Sequence, residues 1–329
     1  IPGVKVTYRK NTNYKPRSEP ASYAAGGKVV HFDTVEWLYI PDPATTMNAL
    51  IAGEIDFWES PSPDLMPGME GNADITIKVI DPLGTQGWLR PNHLNPPFDN
   101  PKARQALLHM VKQEDYLQAI IGDEKFWRTC AAYFMCDTPL DTDVGSGPLM
   151  NQDLEMASKL LKEGGYNGET LILMDPTDIP VLHGASLVTA QMLRKIGAKV
   201  EVQAMDWSTL TSRRAETKSI ADGGWNIFHT YSTGADVASP IANIGVSGGC
   251  VEEAWFGWPC DKTLEDLRDQ FSRESDPAKQ VEIGTALQKR AYEVVPYVNY
   301  GQWFQPTAFR SSLKGVLISP VPFFWNIEK

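Results

Sequence analysis

The sequence predicts an α/β protein with a mixed, largely parallel sheet carrying helices on its faces, organised in two units. Two patterns carry this prediction. From residue 151 onward, stretches with the apolar period of a helix alternate with short β-branched runs, the signature of strands joined through helices. The stretch 86–120, QGWLRPNHLNPPFDNPKARQALLHMVKQEDYLQAI, reads in turn as a strand, a rigid turn and a helix. Size adds a third observation: 329 residues with 42% hydrophobic content bury a core too large for one small unit.

Taken in order, residues 1–20 read as a strand, for which IPGVKVTY is suited, and a polar loop. Gly26 and Gly27 introduce 28–40, rich in Val, Phe, Trp and Tyr, as a strand pair or one bent strand. A helix over 42–52 follows, with Gly53 at its stop. Ile55 and Phe57 make a short strand, Pro61, Pro63 and Pro67 punctuate a loop, and 75–80 alternates as another strand. In 86–120, Trp88, Arg90 and Asn92 alternate with Leu89 and Pro91, which sends the first three to one face. Pro96 and Pro97 stop that strand, and Asn100 caps a helix whose first position is Pro101. Residues 122–147 form a long irregular region. Asn151 caps a helix to 163. Strand 171–174, helix 180–196 and strand 199–205 come next. Ser208 caps a helix to 216, and 225–231 is a strand. Helices 261–273 and 277–294 follow, the second capped by Asp276, before strands in 296–310 and a tail over 313–327.

With 30 basic and 41 acidic residues the formal charge is −11, and no cluster of Lys or Arg offers phosphates the neutralisation that a nucleic acid or an anionic membrane requires. No apolar run is long enough to span a bilayer. Four cysteines lie as two close pairs, Cys130 with Cys136 and Cys250 with Cys260. Three pairings satisfy the count; short loops favour the local one, as disulfides in an oxidising compartment. Buried free thiols are the next reading, and zinc comes last because C-x5-C and C-x9-C lack C-x-x-C spacing and nearby histidines.

An enzyme needs a nucleophile with its base, a metal triad or a phosphate cradle. His31, His93, His109, His183 and His229 are scattered, Gly223-Gly224 and Gly248-Gly249 lack the rest of a P-loop, and no G-x-S-x-G elbow occurs. No cofactor or metal is expected. The informative excess is aromatic. Trp88, Trp207, Trp225, Tyr231 and Trp303 fall at or beside predicted strand ends, where open α/β sheets bind ligands, although most tryptophans fill cores. Arg90, Arg213 and Arg214 are candidate anion partners, with surface roles as the alternative.

Three stretches carry a resemblance. Pro96, Pro97, Phe98, Asp99, Asn100 and Pro101, followed by Arg104, Gln105 and Ala106, are similar to a signature of the extracellular solute-binding proteins that serve peptide and nickel ABC transporters (family 5). Ala49, Leu50, Gly53, Glu54 and Asp56 resemble its A-L-x-x-G-E-x-D segment, and Tyr8, Asn11 and Tyr14 fit its Y-x-R-N-P-D-Y segment, from which Thr12 and Asn13 depart. The resemblance implies a type II periplasmic binding protein fold and a chain that is the carboxy-terminal portion of such a protein. One lobe would be complete (86–306) and one partial (1–85, with 307–329 returning to it).

It further implies an exported, periplasmic, monomeric binder that captures a peptide-like or other small solute in a cleft between lobes and delivers it to an inner-membrane ABC permease, without chemistry of its own. A hydrolase with a similar cleft and a ligand-sensing interaction module are the alternatives. Asp236 matches the first Asp of the family's D-x-x-D-P segment, which in peptide binders pairs with the ligand's ammonium group; Ser239 replaces the second Asp. The family's carboxylate-clamping Arg is missing from 177–180, where Asp178, Ile179 and Pro180 stand. The expected ligand-binding set is Asp236, Tyr231, Trp207, Trp88, Arg90 and Trp303.

Overall fold

A computed structural model describes residues 4–329; the first three positions of the expected opening strand lie outside the described residues. The chain divides into two compact units, one formed by residues 1–84 with 304–329 and the other by residues 85–303.

The first unit begins with strands β1 (Lys5–Arg9) and β2 (Thr34–Leu38), an antiparallel pair in which Tyr8 meets Val35 and Val6 meets Trp37. The wider strand expected over 28–40 shrinks to those five residues. Helix α1 (Pro43–Ala52) follows. The Asp42 carboxylate accepts from the Thr45 amide at its start, and Gly53 ends it in the left-handed region at φ 77°. Strands β3 (Phe57–Trp58) and β4 (Ile75–Val79) come next.

The second unit then runs through β5 (Thr85–Pro91), α2 (Pro101–Met110), α3 (Gln113–Ile120), β6 (Trp127–Arg128), α4 (Gly147–Met150), α5 (Leu154–Glu163), β7 (Thr170–Pro176), α6 (Pro180–Lys195), β8 (Lys199–Met205), α7 (Trp207–Arg213), β9 (Ile227–Thr233), α8 (Gly234–Val237), α9 (Cys250–Glu253), α10 (Lys262–Arg273), α11 (Pro277–Val294) and β10 (Val298–Trp303). The chain returns to the first unit with β11 (Pro306–Arg310), which lies between β3 and β4 and pairs antiparallel with both.

The sheet of the second unit has the order β6-β10-β5-β9-β7-β8. Only the β9–β7 and β7–β8 pairings are parallel; β5 pairs antiparallel with both β9 and β10, and β10 pairs antiparallel with β6. The expected largely parallel sheet is therefore half right. The helices inserted after β7 and before β9 enforce parallel neighbours, but β5 and β10 come from distant parts of the chain and no crossover helix fixes their direction. β5 and β10 are buried almost end to end, on both faces of the sheet, although the sequence of β5 reads as alternating. Gly87 is required where β5 passes Tyr300: a Cβ there would come within 2.0 Å of that ring. Between Asn299 and Gln302 the register with β5 slips at a bulge, where Gly301 takes φ 123°.

Caps decide the helix starts. Asn100 accepts from the Lys102 amide ahead of Pro101, as its sequence position implies. The caps expected at Asn151 and Ser208 are instead Asp153, accepting from Met156, and Asp206, accepting from Thr209. A carboxylate two residues away takes the role in both cases. The solute-binder signature is structural: Arg104 Nε donates to the Val294 carbonyl and its Nη1 to Phe98 and Asp99, while Gln105 donates to Glu293. This ties the rigid Pro96–Pro97 turn and α2 to the end of α11.

The two disulfides join Cys130 to Cys136 and Cys250 to Cys260. The second closes a loop carrying Trp255, Phe256 and Trp258, whose rings complete a cluster with Trp225 and Phe228 on one face of the sheet.

Candidate functional site

Strands β7, β8, β9 and β10 run in one direction, so their carboxyl ends, together with the start of β5, make one edge of the second unit. Thr85 pairs with both Thr233 and Trp303 there. In open α/β sheets this edge is where ligands bind, because side chains of the loops that leave the strands converge on it. Alternation then sorts the residues. Tyr231 is the partner of Gly87 and His229 of Leu89, so they face α6, whereas Thr230 and Phe228 oppose Trp88 and Arg90 on the other face.

Four of the six expected ligand residues lie at or beside this edge. Tyr231 is 45% exposed and meets Trp303 edge-on at 5.8 Å, and Trp303 stacks on Tyr300 at 6.2 Å. Asp236 sits exposed in the first turn of α8. Its amide donates to Thr233 Oγ1 at 3.3 Å, and that hydroxyl donates back to Asp236 Oδ2 at 2.9 Å, leaving the carboxylate without a cationic partner among the described residues. Trp207 opens α7, its amide donating to Asp178 Oδ1 at 2.8 Å and its ring lying 5.4 Å from the Arg214 guanidinium. Asp178, where a clamping Arg was absent, thus serves the α7 start.

Trp88, Arg90 and Trp303 are corrections, because all three are enclosed in the core, Trp303 at 3% exposure although it ends a strand at this edge. The Trp88 indole donates to Gln86 Oε1 and stacks on Tyr297 at 4.5 Å. Arg90 is fully buried. Its Nε donates to Phe256 O, Nη1 to Gly245 O and Pro296 O, and Nη2 to Trp255 O. Burial without a carboxylate lowers its pKa to about 9, so it stays charged at neutral pH. Its donors are spent on carbonyls that close the far loops. Arg214, offered as an anion partner, instead packs among Trp207, Phe228, Trp255 and Phe256, its guanidinium carbon 4.7–5.9 Å from each ring centre. Arg213 donates to the carbonyls of Gly223 and Gly224.

Sequence reasoning missed one pair on the α6 side of this edge. Asp175, next to last in β7 and only 2% exposed, holds His183 of the first turn of α6 through Nδ1 at 2.9 and 3.0 Å. Deeper on the same face, Tyr116, Thr189, His229 and Ser186 form a closed chain, with Thr189 Oγ1 2.8 Å from His229 Nε2. Burial pulls the His229 pKa down to about 3. The signal for the first pair was present but weak: a single Asp and a single His eight positions apart, across a Pro that starts a helix. A concavity lined by Pro96, Pro97, Asn100 and Gly164, with Asp99 as its charged residue, belongs to the opposite end of the sheet. Among the described residues no cluster of His, Cys, Asp and Glu is arranged to hold a metal, and no helix is long and apolar enough to cross a membrane.

Residues 1–250 match the family described as bacterial extracellular solute-binding proteins, family 5 Middle. The chain belongs to that family. Among its relatives, the Sinorhizobium fredii protein named "Probable peptide ABC transporter periplasmic-binding protein y4tO" is 36% identical over the whole chain, and the oligopeptide-binding protein AppA of Bacillus subtilis is 24% identical over 91% of it. The chain spans 62% of the first and 56% of the second.

Solved structures agree on the fold, which is that of type II periplasmic binding proteins. The dipeptide binding protein of Pseudoalteromonas sp. SM9913, in complex with Met-Leu, superposes with a TM-score of 0.79 at 19% identity, covering 99% of this chain and 62% of that one. The periplasmic binding protein DppA of Helicobacter pylori, in complex with the peptide STSA, gives 0.78 at 21% identity, covering 99% and 60%.

Proposed function

We propose that this solute-binding family member captures a peptide-like solute bearing an ammonium group, in the periplasm, for delivery to an inner-membrane ABC permease. The observation that carries the reading is Asp236. Its carboxylate stands at the carboxyl edge of the sheet, held by Thr233 but unpaired with any cation among the described residues, five residues along the chain from the exposed Tyr231. A carboxylate so placed attracts an ammonium, and an aromatic face beside it supplies apolar contact without selecting a particular side chain. The peptide ligands in the solved relatives and the peptide-transport relatives support the same class. The family is one of binders, so the role proposed is capture and release rather than turnover.

Native mass spectrometry of gently purified protein tests this. A co-purifying mass that tandem fragmentation resolves into amino-acid residues supports it. A trapped solute without a primary or secondary amine overturns it.

A further inference from the structure

We propose that the Cys250–Cys260 disulfide is a site of thiol–disulfide exchange with dithiols, and that opening it loosens the aromatic cage around Arg214 and lowers ligand affinity. The two disulfides differ in access. Cys260 is exposed and Cys250 half-buried, whereas Cys130 is 1% exposed and tied into the core. The Cys130 amide donates to Gln113 Oε1, and its carbonyl accepts from Gln113 Nε2 and Asn299 Nδ2. Exchange needs a thiolate to reach sulfur, so a reductant opens the second pair while the first stays closed. The step balances within its two reactants. One thiolate of the dithiol attacks Cys260 Sγ and the disulfide bond breaks, Cys250 leaving as a thiolate that takes up a proton. The second thiol of the reductant then displaces Cys260, which takes up the second proton. Two electrons have passed from the dithiol, now itself a disulfide, to the cysteine pair.

The bond restrains a loop held in an unfavourable backbone. Cys250 has φ 62° and Trp258 φ 50°, the left-handed region that residues with side chains keep only where their surroundings force it. The base of the loop is also closed by the Cys250 amide on Pro259 O and the Asp261 amide on Gly248 O, and Arg90 holds the carbonyls of Trp255 and Phe256. Reduction therefore loosens the loop without detaching it, and the side chains of Trp255 and Phe256 gain the freedom. Those two rings lie 5.0 and 4.7 Å from the Arg214 guanidinium carbon, and Trp207 and Phe228 supply the other walls at 5.4 and 5.9 Å. Among the described residues Arg214 has no carboxylate partner, and its buried Nε meets no acceptor. A half-buried cation kept by rings turns to water once two of its four walls move. Trp207, which opens α7 beside the ligand edge, then loses the packing on its ring. This last link, to affinity, rests on reading that edge as the ligand side.

The whole chain, folded and oxidised, is treated with dithiothreitol, alkylated with iodoacetamide and mapped by mass spectrometry. Alkylation is expected at Cys250 and Cys260 and not at Cys130 and Cys136. Phenylglyoxal, which modifies accessible guanidinium groups, should label Arg214 about tenfold faster in the reduced protein, and calorimetry should show trialanine binding weakened about fivefold, both reversed on reoxidation. Cys250→Ser combined with Cys260→Ser should show the fast labelling and weaker binding from the outset, with no response to dithiothreitol; melting curves verify that it folds. Thiols that appear only on unfolding, or Arg214 labelling that ignores reduction, overturn the proposal. Labelling that accelerates at constant trialanine affinity overturns its link to the ligand. Failure of the oxidised protein to bind trialanine overturns the peptide reading instead, and the exchange site and cage are then decided by alkylation and labelling alone.

Discussion

Replacing Arg90 by Met separates its structural role from the ligand role its position in the sequence suggested. Met fills most of the aliphatic stem's volume but removes four hydrogen bonds, at 2.6 Å to Phe256 O, 2.6 Å to Gly245 O, 2.9 Å to Pro296 O and 3.1 Å to Trp255 O. Bonds to a charged group contribute about 1.5–3 kcal/mol each, a gross loss of roughly 6–12 kcal/mol. The cation's own desolvation, several kcal/mol, is recovered on its removal, but the four carbonyls are left without this donor. The net expectation is a loss of about 3–5 kcal/mol. For a unit of this size that corresponds to a melting temperature lower by roughly 10 °C. Urea unfolding followed by tryptophan fluorescence reads it directly, since Trp88 and Trp255 border the site. A variant that melts with the parent but has lost affinity for trialanine refutes the reasoning and returns Arg90 to the ligand.

Asp236→Asn should weaken trialanine binding by about 2 kcal/mol, some thirtyfold, with the melting temperature unchanged, because the Thr233 contacts tolerate an amide; calorimetry showing equal affinity removes the anchor. Replacing Cys250 and Cys260 together by Ser should cost about 2–3 kcal/mol and speed amide exchange in the 255–258 loop, measured by mass spectrometry. Asp276→Ala should cost about 1 kcal/mol in chemical denaturation, since its carboxylate accepts from the Ala278 and Lys279 amides at the start of α11. His229 is neutral when folded down to about pH 3, whereas the unfolded chain takes up its proton below about pH 6.5. The unfolded state therefore binds more protons in that window, and the stability lost as pH falls from about 6.5 toward 3 should decline less steeply in His229→Gln; identical pH profiles would show the group to be accessible when folded.

Many helix ends in both units were legible because their signals are local. Asn100 and Pro101 set the start of α2 within the same few residues that encode it, and Gly53 and Asp276 mark their helix ends for the same reason. What was not legible depends on distance. The alternation placed Trp88 and Arg90 on one face, as the pairing with Thr230 and Phe228 has them, while Asn92 falls beyond the strand; only the arrival of Gly245, Trp255, Phe256 and Pro296 decides that this face is closed. A fully bonded buried arginine and a ligand-clamping arginine look alike in a sequence. Strand direction fails similarly, since β10 reaches β5 from more than two hundred residues away. The caps at Asp153 and Asp206 show the resolution limit of local reading: neighbouring Asn, Ser and Asp residues all suit the position, and backbone geometry selects among them. Asp175 and His183 meet only once β7 and α6 are folded against each other.

The pairing of Val79 with Pro306 in one sheet and of Thr85 with Trp303 in the other has a kinetic corollary. The whole second unit sits, topologically, in the turn of a hairpin made by β4 and β11. If that hairpin had to close across an unstructured chain, the loop entropy would exceed that of a loop of under ten residues by roughly 3 kcal/mol. Once β5 and β10 are paired, the entry and exit of the inserted unit are neighbours, and the hairpin closes as though its turn were short. The order of assembly is thereby biased toward the inserted unit maturing before β11 pairs with β4. Damage to the β5–β10 pairing, such as a side chain added at Gly87, would then be felt in a sheet that Gly87 does not belong to.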